Sequence, residues 1–184
     1  MDVILYTDPK TTVETLAFEK QLGETEVVVA FTKHDAKHKE VLSHLAVEGV
    51  TVKSGLIVKD GREAQKYGQR YDAIIAPATR DCLESKAVDI IYHAELLEKK
   101  DKTHRRGSGL NQVGAKLVAE TGKTYTLDLS LLLAGKERAK LLGRMRQNKT
   151  ILEKYGCDVR AYSHARRWDQ VRPPAEREFF RENL

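Results

Sequence analysis

The sequence predicts an α/β fold built on one mainly parallel sheet, and three observations carry that expectation. Strand-like and helix-like segments alternate in about seven βα units along the chain. Residues 27–31, Val-Val-Val-Ala-Phe, are an unbroken apolar run, as a strand covered on both faces should be. Gly23, Gly49 and Gly156 each follow a helix-like stretch, where a left-handed turn can stop it.

Taken in order, residues 3–6 make a short apolar strand. Residues 11–22 carry helical spacing at Val13, Leu16, Ala17 and Phe18. After the strand at 27–31, residues 36–48 predict a helix with Val41, Leu42 and Leu45 on one side. Residues 50–58 are a third strand region, loosened by Gly55, and 62–68 a short helix. Strands at 72–76 and 88–92 flank a helical turn around 82–85. A basic loop leads to a helix over 110–120 with Leu110, Val113, Leu117 and Val118 inward. Residues 124–129 alternate as a strand. The longest helix spans 137–155, with Leu141, Leu142, Met145, Leu152 and Tyr155 on one stripe. A strand at 159–163, a second basic loop and a short helix from 175 complete the chain. The spacing is compatible with an open doubly wound sheet or with a closed barrel. No linker or low-complexity tract divides the chain, so residues 1–184 are read as a single domain.

The net charge of +5 hides an asymmetry. Residues 1–98 hold 12 Lys/Arg against 17 Asp/Glu, and residues 99–184 hold 20 against 10. Such a split presents a polyanion with one basic region, and nucleic acid is the natural partner. No run of eighteen apolar residues offers a membrane span, and the acid-bearing N-terminus lacks the pattern of a secretory signal, so a cytoplasmic protein with no membrane partner is expected. Cys82 and Cys157 lie too far apart for a paired metal motif and are read as buried, reduced thiols.

Motifs for protein-borne catalysis are missing. The first strand contains no His-x-His, and neither a nucleophile elbow nor a phosphate-binding P-loop is present. His34 and His38 are four residues apart, but no third ligand with metal spacing accompanies them. Two loops stand out instead. Between Lys99 and Arg106 five cations fall within eight residues, followed by Gly107, Ser108 and Gly109 at a helix start. Backbone N–H groups and the helix dipole there favour an anion, Ser108 can cap the helix, and each arginine can grip a phosphate through two N–H bonds. The loop 163–174 sets three arginines around Trp168, whose side chain is read as packing the loop base in preference to stacking on a nucleobase.

Four segments in order resemble one family. His104-Arg105-Arg106-Gly107-Ser108-Gly109-Leu110-Asn111 resembles the signature of archaeal ribonuclease P protein component 3. Arg80-x-x-Leu83-Glu84-x-x-x-Val88-Asp89-Ile90-Ile91 resembles its segment leading into a strand, and the stretch from Arg138 to Tyr155-Gly156 its long basic helix. Ser163-x-Ala165-Arg166 and Trp168-Asp169-x-x-Arg172-Pro173 resemble its later loops. The likeness covers roughly residues 70–175. His164 departs from it, standing where a glycine is usual, and Leu129-Ser130-Leu131 stands where an arginine is frequent.

The resemblance implies a TIM-barrel-like α/β fold, irregular or shortened, related to metal phosphoesterase barrels but without their metal site. It implies an archaeal protein that binds the catalytic RNA of ribonuclease P and supports endonucleolytic removal of the 5′ leader from precursor tRNA. The RNA, using Mg²⁺, carries the chemistry, and the protein binds no cofactor and contributes no catalytic residue. The implied partners are ribonuclease P RNA, protein component 2 in a heterotetramer with two copies of each, the other ribonuclease P proteins and precursor tRNA. Arg105, Arg106, Arg166 and Arg172 are the first expected RNA contacts, with Lys99, Lys102 and Lys123 second. Two alternatives stand beside it: a stand-alone barrel phosphoesterase using His34, His38 and carboxylates, and a generic RNA- or phosphate-binding module.

Overall fold

A computed structural model describes the chain apart from Lys102, Thr103 and Arg105, and apart from the side chain of Lys39. Seven parallel strands are ordered in space as in sequence: β1 (Asp2–Leu5), β2 (Glu26–Phe31), β3 (Thr51–Ile57), β4 (Ala73–Pro77), β5 (Ile90–Tyr92), β6 (Thr124–Asp128) and β7 (Asp158–Tyr162). Helices α1 (Pro9–Gln21), α2 (His38–Ser43), α3 (Gly61–Tyr67), α4 (Arg80–Glu84), α5 (Gln112–Thr121), α6 (Leu129–Ala134), α7 (Arg138–Lys154) and α8 (Pro174–Asn183) lie between and after them. The sheet curls into a nearly closed barrel. Beyond β7, Ala165 bridges Ile4 in parallel, and the Leu5 N–H donates to the Ala165 carbonyl at 2.7 Å. The fold is thus TIM-barrel-like, with seven strands among the described residues where the regular barrel has about eight.

Alternation along the strands explains two apolar layers. Val3, Val28, Ala30, Ala73, Ile75, Ile90 and Tyr162 fill the barrel interior. Their neighbours, among them Ile4, Val27, Val29, Ile74, Ile91 and Leu127, point outward against Leu16, Val118, Met145 and Leu152 of the helices. Each such fully buried aliphatic side chain contributes about 1.5–3 kcal/mol. Several helices begin on an Asp or Asn cap: Asp8 accepts from Thr11 N–H at 3.0 Å, Asp60 from Glu63 N–H at 2.9 Å, Asn111 from Gly114 N–H at 2.9 Å and Asp128 from Leu131 N–H at 2.9 Å. These caps turn the chain sharply at the C-terminal ends of strands and place the loops on one rim.

Three expectations need correction. The helix expected over 36–48 covers only His38–Ser43. Lys37 provides no side-chain cap, and the Ser43 hydroxyl bonds back to the Glu40 carbonyl at 2.7 Å, competing with the main chain. The strand expected to reach residue 129 ends at Asp128, whose side chain caps α6. Val113 is 61% exposed, because α5 begins at Gln112 and turns its first residues to solvent. Of the two free thiols, Cys82 is buried as expected, whereas Cys157 is only half-buried.

Candidate nucleic-acid interface

The rim at the C-terminal ends of β5, β6 and β7 carries the basic loops. After β5 the chain makes a 3₁₀ turn at Ala94–Leu96 and enters the loop that precedes α5. That loop is fastened from beneath by α7. Arg144, 3% exposed, donates from Nη1 to the carbonyls of Glu95 and Glu98 at 2.6 and 2.7 Å. Its Nε and Nη2 reach the same Asp101 oxygen at 2.9 and 2.7 Å. Asp101 also accepts the Gly107 N–H at 2.8 Å, and this bond together with Arg144 lowers its pKa. One turn on, the Asn148 amide donates to the Ser108 carbonyl at 2.9 Å and to Glu95 and Tyr125 at 3.1 Å each. The Tyr125 hydroxyl donates to Glu95, a buried carboxyl whose pKa burial raises.

With its stem fixed, the loop turns Lys99, Lys100, His104 and Arg106 to solvent. Arg106 lies along α7 and donates to the Gly143 carbonyl at 3.2 Å. Arg105 and Lys102, both expected RNA contacts, fall outside the described residues. At the anion-binding helix start expected from Gly107, Ser108 and Gly109, the last two border a cleft of about 270 Å³ with Arg106, Asn111 and Gln112. Asn111, not Ser108, caps α5; the Ser108 side chain is buried and faces the Leu110 carbonyl at 3.4 Å. The Gly107 N–H is taken by Asp101. Gly109 has φ +78°, and a Cβ there would come within 1.9 Å of the Ala94 carbonyl oxygen. The lack of a Cβ at both glycines lets the protein's own backbone approach closely.

The second loop follows β7. The Ser163 N–H donates to Asp2 at 2.8 Å and the Ser163 hydroxyl accepts from the Arg172 N–H at 3.1 Å, which closes the loop on itself. Arg166 is exposed, and its guanidinium has no partner among the described residues. Arg172 is half-buried and donates to the Val171 carbonyl at 2.8 Å. Arg167 is paired with Asp169 at 3.0 Å. Trp168 packs edge-on against Phe18 at 5.6 Å and stays 49% exposed.

Lys123 needs correction. It lies at the N-terminal end of β6, away from the rim, and is 2% exposed. Its Nζ has no hydrogen-bond partner among the described residues, and burial lowers its pKa. An ammonium so placed does not meet a polyanion. His34 and His38 both direct Nδ1 to the Tyr71 hydroxyl, at 2.8 and 2.9 Å, and His38 stacks on Phe31 at 3.7 Å. No group of three His, Cys, Asp or Glu side chains among the described residues is arranged to hold a metal ion. No helix among the described residues is long and apolar enough to cross a membrane.

Arg144 and Asn148 are the rim's hidden supports, and reading the sequence missed both. The signal was available: residues 141, 144, 145, 148 and 152 form one helical stripe, and two of the five are polar. A polar residue inside an apolar stripe is held by specific partners.

No protein-family model matches the chain, and no curated protein matches it. Among solved structures, the chain is similar over its full length to 81% of a chain in the cryo-EM structure of an archaeal ribonuclease P with mature tRNA, at TM-score 0.81 and 21% identity. It is also similar to 69% of a crystallised uncharacterised protein, at TM-score 0.59 and 10% identity. A third likeness, covering 95% of this chain and 62% of a crystallised amidohydrolase, has TM-score 0.55 and 14% identity. At these identities the likeness shows a shared barrel fold.

Proposed function

We propose that the chain is a ribonuclease P protein subunit of the component 3 type, binding the catalytic RNA through the rim formed by the β5–α5 and β7–α8 loops. The observation that carries the reading is the coincidence of two independent features. The four ordered motifs that resemble component 3 are carried on a barrel similar at TM-score 0.81 to a chain of the archaeal ribonuclease P structure. The rim itself supplies the physical means. Lys99, Lys100, Arg106 and Arg166 stand in solvent above a buried frame, where cations release counterions from a phosphate backbone and position it without reading its sequence.

In this reading the RNA cleaves the 5′ leader of precursor tRNA with its own Mg²⁺, and the protein screens phosphate repulsion. Protein component 2, as a heterotetramer with two copies of each, and the remaining ribonuclease P proteins are the proposed assembly partners, in an archaeal cytoplasm. The test is affinity purification of the intact protein followed by sequencing of the bound RNA and a leader-cleavage assay. Enrichment of one structured RNA, and cleavage that needs both that RNA and the protein at low Mg²⁺, is the expected result. Cleavage that survives removal of the RNA, or no enriched RNA, rejects the proposal.

A further inference from the structure

We infer that the barrel mouth beside β7 is a receptor for a single phosphate group carried on a nucleotide, with His164 as its floor and Arg166 and Arg172 as its walls. The inference rests on the reading of this rim as a surface for RNA and adds a defined pocket to it. A cleft of about 350 Å³ opens between α6, through Ser130 and Leu133, and the β7 loop, through His164, Arg166, Gln170 and Arg172. Its volume falls within the range of small-ligand sites, roughly 300–1,000 Å³. It sits where strand ends of a parallel barrel open, the usual place for ligands.

Charge decides the class of occupant. Asp169 lines the cleft but is paired with Arg167. That leaves the unpartnered Arg166 guanidinium, and Arg172, whose Nη1 serves main-chain carbonyls while Nε and Nη2 make no hydrogen bond among the described residues. The Gln170 carbonyl accepts the Arg166 N–H at 2.9 Å, so its amino group remains a donor. Guanidinium and amide N–H groups converging on one cleft fit phosphoryl oxygens.

The floor is the second observation. His164 is 1% exposed, yet lines the cleft, and its φ of +46° lies in the left-handed region. A non-glycine residue there is strained, and the strain persists where the surroundings enforce it. Its Nε2 faces the Thr126 hydroxyl at 3.3 Å, and Nδ1 has no partner among the described residues. Burial lowers its pKa, with Asp128 pulling the other way. Asp128, which lies behind the floor, is held by three donors: His93 at 2.6 Å, Ser130 at 2.8 Å and the Leu131 N–H at 2.9 Å. Burial alone would raise that carboxyl, but facing His164 and bonded to His93 it is held at about 2.

The experiment titrates the full chain with inorganic phosphate and with adenosine 5′-monophosphate, following the histidine ring resonances by NMR. H164G identifies the His164 signal by its loss and keeps a backbone free to adopt positive φ. R166A removes a side chain that supports nothing in the fold. A saturable shift of the His164 signal, with affinity about tenfold weaker in R166A, supports the pocket. No saturable shift of that signal, or equal affinity in the parent and R166A, overturns it. Short single-stranded RNA with a 5′-phosphate or a 5′-hydroxyl then competes with the bound phosphate. Preference for the 5′-phosphate assigns a terminal monoester, and equal competition assigns a backbone diester. An RNA that displaces nothing in either form overturns the nucleotide assignment. Phosphate binding that persists while no RNA is recovered by affinity purification supports the pocket and rejects the subunit role.

Discussion

Replacing Arg144 with alanine should loosen the basic loop between β5 and α5 without removing any charge from the surface of that loop. The magnitude follows from what is left behind. The Asp101 half of the clamp is open to water and contributes little. The Glu95 carbonyl is bonded to Arg144 in a buried setting and the Glu98 carbonyl in a half-buried one. A buried polar group left unpaired costs about 1–3 kcal/mol. One full and one partial loss, with the arginine stem's packing, give a destabilisation of about 3 kcal/mol. For a domain of this size that lowers Tm by roughly 6–12 °C. R144K keeps the charge but not the planar fork, so it recovers about half of the loss. Circular dichroism melts supply the stability, and filter binding of the co-purified RNA supplies the affinity. R144A should bind more weakly at a temperature where it remains folded, and D101N should show coupling to it in a double-mutant cycle. A Tm change under about 1 °C, or unaltered RNA affinity in a destabilised R144A, would refute the reasoning that α7 sets the loop.

Three further outcomes are expected. If Arg105 and Arg106 each neutralise one phosphate, the R105A/R106A double variant should lose about 1.4–1.8 from the slope of log affinity against log salt; a folded variant with the parental slope would show the loop to be solvated charge alone. K123M should raise Tm and leave RNA affinity unchanged, since the Lys123 ammonium is buried with no hydrogen-bond partner among the described residues; weakened RNA binding would return Lys123 to the interface. Glu19, buried and facing Asp2, has its carboxyl raised to about 9 by burial first and by Asp2 second. The folded protein therefore holds a proton that the unfolded chain releases near pH 4.5, and stability from this group falls as pH rises from 4.5 towards 9. E19Q should gain up to about 3 kcal/mol at pH 7, with the gain vanishing near pH 4.5; urea melts across pH that show a flat difference would contradict the buried, protonated carboxyl.

The sequence by itself determined the βα rhythm, the buried valine strand at β2 and the concentration of cations after residue 98. These are local or additive properties. Side-chain periodicity reports which face is covered, and charge sums need no geometry. It also marked both loops of the rim, since a cluster such as Lys99, Lys100 and Arg106 is visible as a string. Only the tertiary structure decided whether the strands close, because closure depends on the shear that brings Ala165 beside Ile4 across the whole chain. Only it placed Lys123 in a buried position and brought other backbone segments against Gly107 and Gly109. It also assigned the loop's support to Arg144 and Asn148, more than 30 residues further on, and gathered His93, Asp128 and His164 from three strand ends. A hydrogen bond or a buried charge is a relation between residues in space, and one-dimensional order carries it only when the partners are neighbours in the chain.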